Sequence, residues 1–128
     1  MSDHGRNRQS KLRNGTEFRC VFDAAARSSD GLFTVLARSN GRAYPRLGLA
    51  IGKKWVRRAV DRNKIKRLIR DSFRKHQNQL DGLDLVVMSR GNGKTENSKV
   101  LSSLKLHWQR IENYKEQGKV PAEAAPHG

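Results

Sequence analysis

Residues 53–75, KKWVRRAVDRNKIKRLIRDSFRK, sort their side chains by class at helical period, and this one segment restricts the fold more than any other. At about 100° per residue, Lys64, Lys66, Arg67, Arg70, Arg74 and Lys75 gather around one direction with Asn63, while Ile65, Leu68, Ile69, Ser72 and Phe73 fill the opposite arc. Asn63, Arg67, Arg70 and Arg74 follow a 4-3-4 spacing. Val56, Ala59 and Val60 point elsewhere, so either the helix starts near Ala59 or its first turn packs on another element. The segment holds eleven Lys or Arg against two Asp, which places +9 of the chain's formal +15 in one stretch. A solvated face intersperses signs, and a basic tail has no reason to sort its charges by face. The pattern describes a helix anchored by an apolar stripe and holding out a row of cations, and phosphates are the ligand that chemistry suits.

The flanking segments turn this helix into a topology. Upstream, Arg46 to Lys53 alternates Leu47, Leu49 and Ile51 with Gly48, Ala50 and Gly52, a strand with one packing face and one nearly bare face. Downstream, Asp84 to Arg90 (DLVVMSR) is a short apolar run suited to a buried strand. A strand, helix, strand sequence implies a crossover, which makes the two strands parallel. Before them, Leu32 to Arg38 alternates Phe33, Val35 and Ala37 with Thr34, Leu36 and Arg38 and ends at the turn Ser39-Asn40-Gly41. Thr16 reads as the N-cap of an expected first helix with Phe18, Val21, Phe22 and Ala25 on one face, and Leu101, Leu104, Trp108 and Ile111 predict a last helix from Asn97 to about Tyr114. The expected fold is a single α+β domain over residues 12–114, in the order α-β-β-α-β-α. Polar, aperiodic segments 1–11 and 115–128 read as flexible tails.

Several function classes are disfavoured by the same reading. Cys20 is the single cysteine, so an intrachain disulfide and a Cys metal cluster are both excluded, and a reducing cytoplasm fits. No apolar run approaches the roughly 18 residues of a membrane span, and the start MSDHGRNRQSK lacks a secretory h-region, so no membrane association is expected. His4, His76, His107 and His127 have no metal-ligand spacing. Asp81 and Asp84 are the nearest acidic pair at a helix end, whereas a two-metal nuclease needs several converging carboxylates.

Some residues carry two readings. Phe18 and Phe22 at i, i+4 are the spacing of an ordinary core face, and also that of two rings able to stack on unpaired bases. Gly48, Ala50 and Gly52, leading into Lys53 and Lys54, read as a plain packed strand or as the floor of a groove for a single strand. Trp108 reads as core.

RLGLAIGKK followed by AVDRNKIKRLIRDSFR resembles the protein subunit of bacterial ribonuclease P. The specific element is an Arg-Asn-Arg type motif, here Arg62-Asn63-Lys64, continued by Lys66, Arg67 and Arg70. The order of the remaining elements matches over about residues 12 to 113. The resemblance implies an α/β sandwich with a left-handed βαβ crossover, against the usual right-handed rule. It implies that the catalyst is an RNA that, with Mg²⁺ held by that RNA and the substrate, removes the 5′ leader of precursor tRNA endonucleolytically, the protein being an accessory without a catalytic site of its own. By position, Arg62, Asn63, Lys64, Lys66, Arg67, Arg70 and Arg74 belong to a surface for the catalytic RNA. Phe18, Phe22, Lys53 and Lys54 belong to a cleft for the single-stranded leader, which moves the two phenylalanines from core to cleft. No obligate protein partner is expected. Three positions depart from the family pattern: Lys64 stands for Arg and loses the planar fork, Val56-Arg57-Arg58 stands where many members have a shorter Gly-Asn, and Leu36 falls where some carry a tyrosine. Composition alone also fits a ribosomal or general RNA-binding protein; a self-sufficient nuclease is disfavoured by the missing carboxylate cluster.

Overall fold

Four segments pair into one sheet. In the computed structural model, which describes residues 26–52, 58–90 and 96–120, strands β1 (Ala26–Ser29), β2 (Phe33–Ser39), β3 (Arg46–Ala50) and β4 (Leu83–Ser89) lie in the order β1-β2-β4-β3. β2 is antiparallel to β1 and β4, and β3 is parallel to β4. The parallel pair is joined by helix α1 (Ala59–Lys75) and a 3-10 turn (Gln77–Leu80), and helix α2 (Asn97–Glu116) follows β4. Among the described residues the fold is therefore a single α+β domain with a four-stranded mixed sheet and two α-helices. The expected first helix, with Phe18 and Phe22, lies outside the described residues, as do Lys53 and Lys54.

Strand alternation builds the core. Phe33, Val35, Ala37, Leu47, Leu85 and Val87 point to one face and cluster with Ile65, Ile69 and Phe73 of α1 and Val100, Leu104, Trp108 and Ile111 of α2. The two helices are locked to each other as well: Trp108 Nε1 donates to Ser72 Oγ at 2.8 Å, and the Phe73 and Trp108 rings meet edge to face at 6.1 Å. α2 runs two residues past the expected Tyr114 and stops in a Schellman motif, with Gly118 at φ 70°, its N–H on Lys115 O and the Lys119 N–H on Tyr114 O. Tyr114 and Val120 then pack together against the core, so the ordered domain reaches beyond residue 114.

The strand that sequence alone missed, β1, has no apolar alternation in Ala26-Arg27-Ser28-Ser29. It is held by polar side chains instead. Ser28 Oγ lies 2.7 Å from His107 Nδ1, and Arg110 of α2 donates to Ser28 Oγ at 3.4 Å and to the Ser29 carbonyl at 3.2 Å. Asp30, in the β1-β2 turn, accepts from the Leu32 and Phe33 amides at 2.9 Å each and from Ser103 of α2. His107 Nε2 sits 3.2 Å from Asp30 Oδ1, in ion-pair range though out of hydrogen-bond alignment. A neutral ring with its proton on Nε2 suits both neighbours, since the Ser28 hydroxyl can then donate to Nδ1. With Ser28 2% and His107 0% exposed and Asp30 half-buried, this serine, histidine and aspartate form a structural lock between β1 and α2.

The lock makes stability pH-dependent. Burial pushes His107 below its usual 6.5 more strongly than Asp30 pulls it back, with Arg110 adding to the depression. For Asp30 burial acts upward, but Ser103, the two turn amides and His107 together hold it at about 2 instead of 3.8. Both groups bind protons more readily in the unfolded chain, so both stabilise the fold at neutral pH and lose that contribution as pH falls. His107 acts first, as pH drops below 6.5, and Asp30 follows as pH falls from 3.8 through about 2. Thermal melts between pH 8 and 5 should show the first loss in the wild type and a flatter profile in His107→Gln. A wild-type profile as flat as the variant's would contradict this assignment.

Candidate nucleic-acid interface

α1 owes its orientation to its apolar arc. Ile65, Ile69, Ser72 and Phe73 are buried and Leu68 is half-buried against the core, as the helical period requires. The helix begins at Ala59, and Arg58 caps it without a side-chain hydrogen bond. Opposite the arc, Asn63, Lys64, Arg67, Arg70, Arg74 and Lys75 are exposed. These are the positions expected for the row, with Lys66 the exception: it and Arg62 are half-buried on the flank. At about 100° per residue Arg62 falls over the buried arc between Ile69 and Phe73, whereas Lys66 lies about 40° from Arg70 at the edge of the row. The motif residues Arg62 and Asn63 therefore lie on different sides of one helix.

The exposed cations are not equivalent. Asp71 pairs with Arg74, and Asp61 lies 3.9 Å from Arg58, each three residues apart on the helix. Lys64, Arg67, Arg70 and Lys75 make no ion pair among the described residues. An anion meets these four without displacing a carboxylate, whereas Arg74 must share or leave Asp71.

The sheet face away from the helices carries the bare positions of β3. Register places Arg38, Asp84 and Arg46 in one row, Leu36, Val86 and Gly48 in the next, and Thr34, Met88 and Ala50 in the third. Of the three positions read either as a packed strand or as the floor of a groove, Gly48 is buried, while Ala50 and Gly52 are exposed. Gly52 donates its N–H to Ser89 Oγ at 3.1 Å. At the other end Arg46 forks onto Asp84 at 2.8 and 2.7 Å, and Asn40 donates to the same carboxylate at 2.9 Å. By sequence Asp84 is one of a nearby acidic pair at a helix end; in the fold it is the anchor of the β3-β4 pair. The signal that points to this is Arg46 and Asp84 at equivalent ends of two strands expected to be parallel.

Among the described residues no group of three or more His, Cys, Asp or Glu could hold a metal ion. No described helix is long and apolar enough to cross a membrane. A mixed sheet backed by two helices, one presenting exposed cations without ion pairs among the described residues, defines a basic α+β domain. The chain belongs to the ribonuclease P protein family: the Ribonuclease P family model matches residues 7–112. It is 53% identical over 106 residues to the ribonuclease P protein component of Methylococcus capsulatus, covering 82% of this chain and 83% of that one. Against the component from Nitrosococcus oceani the identity is 47% over 109 residues, covering 84% and 92%. The solved ribonuclease P protein of Thermotoga maritima superposes with a TM-score of 0.70 at 31% identity, covering 79% of this chain and 96% of that one. The Staphylococcus aureus protein gives 0.72 at 28% identity, with coverage of 80% and 94%.

Proposed function

We propose that this protein is the RNA-binding accessory subunit of ribonuclease P, docking the catalytic RNA through the exposed row of α1 and holding the single-stranded 5′ leader of precursor tRNA in a cleft. The observation that carries this is the row itself: Lys64, Arg67 and Arg70 stand exposed and without ion pairs among the described residues, on a helix whose other side is fixed in the core. Each phosphate neutralised there releases counterions, so the protein screens two RNAs that repel each other. Asn63, within the row, can donate to phosphate or ribose. Bond cleavage belongs to the RNA and the Mg²⁺ it holds, and the protein contributes by ordering the substrate. The cytoplasm, where precursor tRNA is made, is the proposed location, with no obligate protein partner.

Two measurements test this. RNA co-purified with the protein should be one structured RNA, and recovery of ribosomal RNA instead would favour a ribosomal protein. In the reconstituted enzyme, Phe18→Ala and Phe22→Ala should each weaken binding of leader-bearing precursor by about 1 to 3 kcal/mol while sparing mature tRNA. Equal losses for both substrates, with a large drop in melting temperature, would return the two rings to the core.

A further inference from the structure

The β2-β3 loop, residues 40–45, is fixed from beneath by polar groups. Asn40, 3% exposed, accepts the Arg42 N–H on Oδ1 at 2.8 Å and donates through Nδ2 to the Tyr44 carbonyl at 3.2 Å and to Asp84 Oδ1 at 2.9 Å. Its own N–H donates to the Gly82 carbonyl at 2.8 Å, and Gly41 takes the turn at φ 69°. Asp84 is itself gripped by Arg46, and Pro45 is buried where β3 starts. The backbone on both sides of Ala43 is thus set by a side chain that solvent hardly reaches.

This frame presents a pair of side chains. Arg42 is exposed, donates from Nη1 to the Tyr44 hydroxyl at 3.2 Å and places its guanidinium carbon 5.9 Å from the ring centre. It makes no ion pair among the described residues. Tyr44 is half-buried and stands outside the core, whereas Phe33, Phe73 and Trp108 are buried and Tyr114 packs against them. An aromatic ring at the surface beside a guanidinium offers a stacking face for an unpaired base and donors for the adjoining phosphate. A backbone already held in place reduces the ordering cost of using them.

The loop lies at the end of the domain to which α1 returns. β3 and β4 are parallel and start level with each other at Arg46 and Asp84, and α1 leads from the end of β3 back to the start of β4. Its last turn, with Arg74 and Lys75 exposed, therefore comes back toward Gly82, where a Cβ would sit 3.5 Å from the Arg42 carbonyl. We infer that Arg42 and Tyr44 form a second contact with the catalytic RNA, Tyr44 stacking on an unpaired base and Arg42 binding the phosphate next to it. The inference rests on the docking reading above and extends that surface from the C-terminal end of α1 onto the β2-β3 loop.

The test measures binding of the full-length protein to its catalytic RNA. Arg42→Ala should weaken binding about five- to tenfold and reduce the salt slope by about one unit, without moving the melting temperature, since the side chain is exposed. Tyr44→Ala should weaken binding about fivefold or more with the slope unchanged, and Tyr44→Phe, which keeps the ring, should stay near wild type. At protein concentrations that saturate each variant, base-methylating probes on the catalytic RNA should find a base that the wild type and Tyr44→Phe shield and that Tyr44→Ala leaves reactive, within an otherwise unchanged footprint. A ring that only supports the loop would not produce that single difference. Wild-type affinity and footprint in both alanine variants would overturn the inference, as would a loss confined to precursor tRNA. The reading of α1 would then still stand if Arg67→Ala, Arg70→Ala weakened docking, and would fall as well if that double variant docked normally.

Discussion

Trp108→Ala is expected to destabilise the domain by about 3 to 5 kcal/mol, a large share of the roughly 5 to 15 kcal/mol that holds a domain of this size together. The side chain is 0% exposed and joins the two helices that back the sheet. Truncation opens a cavity against Phe73 and also strips Ser72 Oγ, 6% exposed as a residue, of its indole donor. The second loss adds an unsatisfied hydroxyl to the cavity cost. RNA docking should suffer through the fraction of chain unfolded, with the salt slope of the folded fraction unchanged, because the exposed basic row of α1 is untouched. Urea melts monitored by circular dichroism measure the loss, and a shift of the midpoint equivalent to less than about 1 kcal/mol would mean that α1 does not depend on Trp108 for its seat.

The double substitution Arg67→Ala, Arg70→Ala should produce the opposite pattern. Both side chains are exposed and without ion pairs among the described residues, so stability should stay within about 0.5 kcal/mol. Docking to the catalytic RNA should weaken most at low salt, and the slope of log affinity against log salt should fall by about one unit for each phosphate no longer neutralised. Arg74→Ala should change the slope less, since Asp71 already holds that guanidinium. A slope unchanged in the double variant would exclude this face of α1 as the docking surface.

The residues of α1 show how far sequence reaches. Burial repeats along a helix at a fixed angle, so the assignment of Ile65, Ile69 and Phe73 to the core and of Arg67 and Arg70 to solvent needs no partner to be known. The same reasoning places β2, β3 and β4, whose apolar alternation is local, and it makes the β3-β4 pair parallel because a helix intervenes. Lys66 escapes it because an angular sector does not say how far neighbouring elements rise around its edges.

What sequence by itself determined is thus the set of locally periodic elements, the concentration of charge on one helix face and, through the motif around Asn63, the family. Tertiary structure alone decided which polar residues work inside the fold. β1 exists as a strand because Ser28 meets His107 from 79 residues away, and Asp84 is spent on Arg46 across 38 residues. Such pairs leave no period in the chain, since their partners are brought together only when the helices and sheet have packed. The same packing engages Arg46, buries Arg38 and leaves Arg27 exposed, although all three are equally basic in the sequence.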